Sequence, residues 1–429
     1  MPQPSERRLS SLLDNADQCT HCGYCLPVCP TYRVNNDEVQ SPRGRVSIVL
    51  AVQQGRVSPA AARPLLDHCL LCRACHPACP AGVRPAKLVI ASRRLAPPVR
   101  RPWSATLLHR CTDSHGATRL LAGLLDRYRR WGVGRGLRRW GLLRLLPPLD
   151  RLERLIPLEV APTPALLPPP AAGPRVALLC GCMGRTFYPA IGPSAANLLS
   201  ALGCQVVVPE GFGCCGAPLR ESGDHGRFLD HARRVLDRFA AAGAVEAVVC
   251  DSSVCAVTAR SYGKALAKDA AYRDRAKEFS RKVSELSRFL TSRDAAGRLA
   301  LGDPGLGRLT CQDHCQSRHG LGIVSEPREL LAATGALTVD LPRSDRCCGA
   351  GGDYMLRHAP TSRLVREDKL DAIAACGAKT VVAGNPGCMV NIAAGLEQRG
   401  LPVRVRHLAE VLWAAAGATQ DDHPNSNRP

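Results

Sequence analysis

Residues 18–32 read QCTHCGYCLPVCPTY, four cysteines within eleven positions and a proline directly behind the fourth. A second run, CLLCRACHPACP, has the same spacing. The two are Cys19-x2-Cys22-x2-Cys25-x3-Cys29-Pro30 and Cys69-x2-Cys72-x2-Cys75-x3-Cys79-Pro80. Thiols this dense are disulfides, zinc ligands or iron–sulfur ligands. Arg7 and Arg8 are followed by no apolar segment before Asp14 and Asp17, so no secretory signal is readable. In a reducing compartment, clustered cysteines read as metal ligands rather than bridges. Zinc needs only two C-x2-C hooks and gives no reason for the longer run to recur with its proline.

The repeated run has the spacing of bacterial two-cluster ferredoxins, in which three close cysteines wrap one [4Fe–4S] cube and the fourth departs to the other. On that pattern Cys19, Cys22, Cys25 and Cys79 hold one cluster, and Cys69, Cys72, Cys75 and Cys29 hold its twin. Such a pair carries single electrons and asks no side chain to act as acid, base or nucleophile. Between the runs, SPRGRVSIVLAVQQG predicts a helix capped by Ser41, opened by Pro42 and closed at Gly55. RPAKLVIASRRLAPP predicts another, ending before Pro97. Residues 1–97 are therefore expected to form an α-helical ferredoxin domain.

The remaining cysteines are duplicated. Cys182, Cys214-Cys215-Gly216 and Cys255 reappear 133 positions later as Cys315, Cys347-Cys348-Gly349 and Cys388. LLSALG answers to LLAATG, and Pro209 to Pro342. Two copies of one domain are predicted, 175–305 and 306–416, followed by a disordered tail over 417–429. In the first, RVALL, QVVVP and AVVC read as strands. In the second, RLTCQ, LTVDLP and KTVVAG do, with helices between them. The fold class expected is thus multidomain, a helical ferredoxin domain followed by two duplicated α/β cysteine-rich domains. Each copy would bring four thiols to the carboxyl ends of three strands, where open α/β sheets gather their ligands. Cys182, Cys214, Cys215 and Cys255, and likewise Cys315, Cys347, Cys348 and Cys388, are candidates for a further redox or Fe–S site. Cys180, Cys250, Cys311 and Cys376 are spare thiols without matching offsets. His314, His319 and His407 read as packing or surface residues.

Between these parts, residues 98–174 form a predicted linker, helical and Arg-rich, then Pro-rich. From Arg119 to Arg154 there are ten arginines against three acidic residues, interleaved with leucines, Trp131 and Trp140. An ordinary covering helix and an amphipathic segment for an anionic bilayer or a partner both fit this pattern. Lysine plus arginine (57) exceeds aspartate plus glutamate (37) by 20. Aromatic residues are few and no basic–aromatic interleaving surrounds the cysteines, so no nucleic acid is expected as partner.

A twin-cluster ferredoxin domain followed by two Cys-Cys-Gly domains resembles the iron–sulfur subunit of glycolate oxidase, also called glycolate dehydrogenase. The likeness is carried by CTHCGYCLPVCPTYRV, SPRGR, CLLCRACHPACPAGV, CCGA in both copies and NPGC. It implies two [4Fe–4S] clusters, FAD on partner subunits that oxidise glycolate to glyoxylate, and electrons passed towards a membrane quinone. It also implies a cytoplasmic protein, peripheral at the inner face of the membrane. The same plan recurs in lactate-utilisation proteins, the anaerobic glycerol-3-phosphate dehydrogenase small subunit and heterodisulfide reductase relatives. Related lactate or glycerol-3-phosphate oxidation and thiol–disulfide chemistry are therefore the alternative functions. Heterodisulfide-reductase-type domains often close with C-x2-C, whereas Ser252 and Asn385 stand at the first of those positions here. CGCMGR does not spell a dinucleotide-binding loop, so a hydride-accepting cofactor belongs on another chain.

Overall fold

The computed structural model describes residues 15–96, 102–113 and 115–421 of the 429-residue chain. The first of these stretches contains helices and no strand. Its main helices are α1 (Pro30–Asn35), α2 (Pro42–Gln53), α3 (Pro59–Asp67) and α4 (Pro85–Arg93). Each opens on proline, whose fixed φ suits a first turn and whose missing N–H would have had no helical partner. The Ser41 and Ser58 hydroxyls accept the N–H groups of Gly44 and Ala61, capping α2 and α3. Gly55 takes a left-handed φ of +71° just after α2, as its predicted stop requires. Val46, Val49, Leu66, Leu88 and Val89 bury one face of these helices beneath the cysteine runs.

Four further helices follow: α5 (Trp103–Asp113), α6 (His115–Arg130), α7 (Val133–Trp140) and α8 (Pro147–Arg154). They form a packed layer. Leu121, Leu125, Leu155 and Ile156 join a core built mostly by the second repeat together with Phe187, Tyr188 and Ile191 of the first. Arg138 pairs with buried Glu153 at 2.8 Å and reaches Glu397 beyond it.

The first repeat comprises β1 (Arg175–Leu179), α9 (Cys182–Phe187), α10 (Ile191–Ala201), β2 (Gln205–Val207) and α11 (Ala217–Ser222). It continues through α12 (His225–Ala241), β3 (Ala247–Cys250), α13 (Ser253–Ala259), β4 (Val283–Glu285) and α14 (Leu286–Ser292). Its strands are all parallel in the order β2-β1-β3-β4, with Val176 opposite Val206 and Ala247. The second repeat has β5 (Leu309–Cys311), α15 (Glu326–Ala332), α16 (Ala359–Cys376), β6 (Thr380–Ala383) and α17 (Pro386–Gln398). It closes with β7 (Arg404–His407) and α18 (Leu408–Asp421). The parallel order is β5-β6-β7.

The structure differs from expectation in three places. LTVDLP is not a strand: its pairing with β5 is one bridge, Leu309 to Thr338. The Thr310 hydroxyl takes the Val339 carbonyl at 2.8 Å, and Pro342 follows without an N–H to extend the ladder. β4 and β7 were unforeseen, being only three and four residues long, too short for alternation to register. Residues 417–421, expected in the disordered tail, are helical because α18 runs to Asp421, and residues 422–429 lie outside the described residues. The repeats also share a core. Leu198, Leu199, Val249 and Leu290 of the first pack with Leu309, Leu330, Val382, Val411 and Leu412 of the second.

Candidate functional site

Both N-terminal cysteine runs are wound alike. His21 and Gly23 in one, and Leu71 and Arg73 in the other, take left-handed angles (φ +56°, +87°, +53° and +64°). Spaced left-handed residues turn successive N–H groups towards one concave side, which suits an anionic occupant. The N–H of Tyr24 meets the Cys22 sulfur, that of Leu71 meets Cys69 and that of Ala74 meets Cys72. A branched residue such as Leu71 in this region costs roughly 1–3 kcal/mol and persists only where its surroundings enforce it.

The two sets differ in depth. Cys29, Cys69, Cys72 and Cys75 line one small cavity together with Arg45. Cys29, Cys72 and Cys75 are buried and Cys69 nearly so. Burial raises the Cys69 thiol. Burial and the neighbouring Cys72, Cys69 and Cys29 push Cys75 well above its ordinary range. Such thiols ionise readily only when a positive centre arrives to hold them. The other set lies at the surface. Cys22 is exposed and the N–H of Tyr24 lowers its thiol, while Cys19 and Cys25 are half-buried in the same loop. Cys79 packs with Cys19 against the edge of the helical core.

Arg45 was not singled out from the sequence. It is buried on α2, 3 % exposed, and its guanidinium lies 3.7 Å from the Cys29 sulfur, 2.8 Å from the Thr31 hydroxyl and 3.1 Å from the His68 carbonyl. The signal was an arginine in SPRGR on the helix between two cysteine runs. Only its burial tells that its charge faces the sulfurs.

In the first repeat parallel strands deliver all four thiols; in the second they deliver Cys315 and Cys388, while Cys347 and Cys348 follow the 337–342 segment that forms no strand. Cys182 begins α9 just past β1, Cys214 and Cys215 follow β2, and Cys255 lies in the first turn of α13 past β3. In the second copy Cys315 follows β5, Cys347 and Cys348 precede Gly349, and Cys388 lies in the first turn of α17 past β6. Gly216 and Gly349 both have φ +79°. A Cβ on Gly349 would stand 2.5 Å from the Ser362 carbonyl oxygen. Matching side chains clamp these loops: His231 and Tyr262 bond the carbonyls of Cys214 and Cys215, and Asn391 donates to that of Cys348.

In each quartet the thiols are neighbours in series. Cys182 meets Cys214, Cys214 meets Cys215, and Cys215 meets Cys255. Neighbouring thiol donors hold Cys214 well below the usual range and leave Cys182 and Cys215 well above it. Cys315 meets Cys347, Cys347 meets Cys348, and Cys348 meets Cys388. All eight thiols line a single chamber of about 420 Å³ between the repeats, and Cys69 reaches its wall. The spare thiols are not among its lining residues. Cys180 and Cys311 are half-buried, and desolvation raises both thiols to about 12. His314 and His407 are buried and His319 is half-buried, as packing residues would be.

Ser252 and Asn385, equivalent positions of the two repeats, meet across the seam. The Ser252 hydroxyl donates to Asn385 Oδ1 at 3.1 Å, and Asn385 Nδ2 contacts the Cys388 sulfur at 3.2 Å. At these two equivalent positions the chain therefore has a polar clasp between copies. The helical region is tied in by buried arginines. Arg63 and Arg93 share Asp67 at 3.1 Å each and donate to the Ser222 and Glu221 carbonyls of α11. Gln316 donates to the Leu71 carbonyl at 3.1 Å. Cys72 and Cys347 thereby line one cavity, and the neighbouring Cys347 raises the Cys72 thiol well above its ordinary range.

Among the described residues, no three His, Cys, Asp or Glu side chains are grouped as a single-ion site. The fit to a cofactor is argued from the donors and the loops. Four thiols in each N-terminal set, N–H groups aimed at sulfur and a buried cation beside the deeper set suit anionic, cysteine-ligated iron–sulfur clusters.

Comparison with known proteins agrees with the division of the chain. The family model of the 4Fe-4S dicluster domain matches residues 15–83, and that of the cysteine-rich domain matches 176–260 and 309–393. The probable glycolate oxidase iron-sulfur subunit of Bacillus subtilis (strain 168) is 32% identical over 420 residues, covering 93% of this chain and 94% of that protein. The glycolate oxidase iron-sulfur subunit of Escherichia coli (strain K12) is 30% identical over 401 residues, 92% of this chain and 93% of that one. Lactate utilization protein A of Exiguobacterium is 32% identical over 240 residues, which is 56% of this chain and 97% of its own.

Proposed function

The chain belongs to the family of glycolate oxidase iron–sulfur subunits, and from that membership we propose that it carries electrons in a flavin-dependent complex oxidising glycolate to glyoxylate. The observation that carries the reading is that Cys72 and Cys347 line one cavity where the helical region meets the second repeat. It links an exposed cysteine set, a buried one and the chamber of eight thiols into one inward series of sulfur sites. In this reading Cys19, Cys22, Cys25 and Cys79 hold one [4Fe–4S] cluster, and Cys69, Cys72, Cys75 and Cys29 the other. The repeat quartets hold a further redox or Fe–S site. Bound there, clusters supply one-electron carriage.

The chain's own residues bind and insulate. Burial of Cys29, Cys72 and Cys75 excludes water, and Arg45 offsets negative charge at the deeper set. The α9 amino terminus, where CGCMGR stands, is not free to cradle a dinucleotide phosphate: the Gly181 N–H is already taken by both Asp251 oxygens, at 2.8 and 3.0 Å. Removing two electrons from a hydroxy acid therefore requires FAD on partner subunits. The final acceptor is a membrane quinone. Relatives matching along nearly the whole length are named for glycolate, and those matching 56% of this chain for lactate, which favours glycolate.

Anaerobically purified protein should contain iron and acid-labile sulfide, show reduced-cluster EPR signals and lack flavin. Glycolate-dependent reduction of an acceptor should appear only when FAD-bearing partners are added. Turnover by this chain alone would refute the assignment.

A further inference from the structure

We propose that the outer face of α6, α7 and the turn after them is a docking surface for an anionic lipid bilayer. Its purpose, though not its existence, rests on the electron-carrier reading. Along α6 and the residue that follows it, Leu120, Leu124, Arg127 and Trp131 fall at i, i+4, i+7 and i+11, the spacing of one helical stripe. The apolar members are 68 %, 50 % and 76 % exposed. The opposite side is fixed to the body by buried Thr118 and Leu125 and by Arg129, which donates to the Pro157 and Phe187 carbonyls. Past α6 the apolar exposure continues through Trp140, Leu145 and Leu146. Residues 120–149 hold eight of the twenty large apolar side chains exposed among the described residues, so this is a concentrated patch rather than scatter.

Charge decides the occupant. Acidic groups here are already engaged: Asp126 with Arg130 at 3.0 Å, Asp150 with Arg154 at 2.8 Å, and buried Glu153 with Arg138. Arg119, Arg127, Arg135, Arg139 and Arg151 are exposed, and among the described residues no acidic partner is recorded for them. Free arginines alternating with tryptophan and leucine suit a headgroup region, where tryptophan seats at the interface and cations meet anionic lipid. No helix among the described residues is long and apolar enough to cross a membrane, so the mode is lying on the surface. The placement has a use. α6 packs along α9, whose first residue is Cys182, and His115 Nδ1 lies 2.7 Å from Arg185. A bilayer on the outer face would sit about one helix layer, ~10 Å, beyond α9 and its thiol, close to a lipid-dissolved acceptor.

The test is co-sedimentation of the full, cluster-loaded chain with phosphatidylcholine vesicles, with and without phosphatidylglycerol. Binding should require phosphatidylglycerol and weaken with salt. The paired variant Arg135→Gln, Arg139→Gln should bind roughly fivefold more weakly for each arginine removed. Trp131→Ser with Trp140→Ser should weaken binding by about tenfold or more. All four positions are exposed, so iron content and dye reduction with partners present should stay unchanged. No binding to anionic vesicles, or binding indifferent to both variants, overturns the proposal. So does a loss of assembly with flavoprotein partners while vesicle binding survives, which would assign the face to the partner. Because vesicle binding is read without turnover, its failure leaves the electron-carrier assignment standing.

Discussion

Replacing Arg45 by glutamine should lower the reduction potential of the deeper cysteine set and leave the surface set nearly untouched. On the proposed assignment, reduction would add one negative charge to the cluster held by Cys29, Cys69, Cys72 and Cys75, and the Arg45 guanidinium lies 3.7 Å from the Cys29 sulfur. With the added charge spread over the cluster, a mean separation of ~6.5 Å and an effective dielectric of ~20 give about 2.5 kcal/mol of attraction. At about 1.4 kcal/mol per 59 mV for one electron, the potential should fall by about 110 mV. Stronger screening would leave about half of that. Glutamine can still bond the Thr31 hydroxyl and the His68 carbonyl, which Arg45 reaches at 2.8 and 3.1 Å, so the local frame should hold. Arg45→Lys keeps the charge and should shift the potential far less. The assay is an EPR-monitored redox titration that resolves the two [4Fe–4S] signals, with iron content measured on each variant. A shift under about 20 mV, or an equal shift in both signals, would refute the reasoning that this buried charge is directed at one site.

Two further outcomes follow from the geometry. Gly349→Ala should destabilise the protein by about 3 kcal/mol or more, because φ +79° and a Cβ 2.5 Å from a backbone oxygen leave nothing that can yield. Gly335→Ala, with φ +68° and open space around it, should cost only about 1 kcal/mol; equal denaturant midpoints for the two would contradict this. The Glu410 carboxyl is raised by burial to about 7, so the folded state keeps its proton while the unfolded chain loses it near 4.5. The folded state then binds more protons between those values, and this group's contribution to stability falls as pH rises from 4.5 to 7. Glu410→Gln removes that loss, so its unfolding free energy relative to the parent should climb from pH 5 to pH 8, by an amount on the order of 3 kcal/mol. A difference that stays constant with pH would count against it.

Much of this protein was legible from local chemistry. The x2-x2-x3-Pro spacing belongs to one stretch of chain, and so do the caps of α2: Ser41, Pro42 and Gly55 stand within one short segment and act within it. The 133-residue offset exposed the duplication because both copies need a thiol at the same point past each strand. Strand 337–342 misled for the converse reason: its β-rich composition is sound, but whether it pairs depends on β5, which offers a single bridge.

What the chain alone determined was the set of donors, their division into four groups and the parallel-sheet scaffold of the repeats, since each follows from residue type and near spacing. Tertiary structure decided which set is deep and which is exposed. It also turned Arg45 inward, brought Ser252 to Asn385 and set Cys72 and Cys347 on the wall of one cavity. Those placements join positions up to 275 apart (347 minus 72), and they arise from the burial of apolar faces shared between segments. That burial is non-directional, so no short stretch of sequence encodes which distant groups it will bring together.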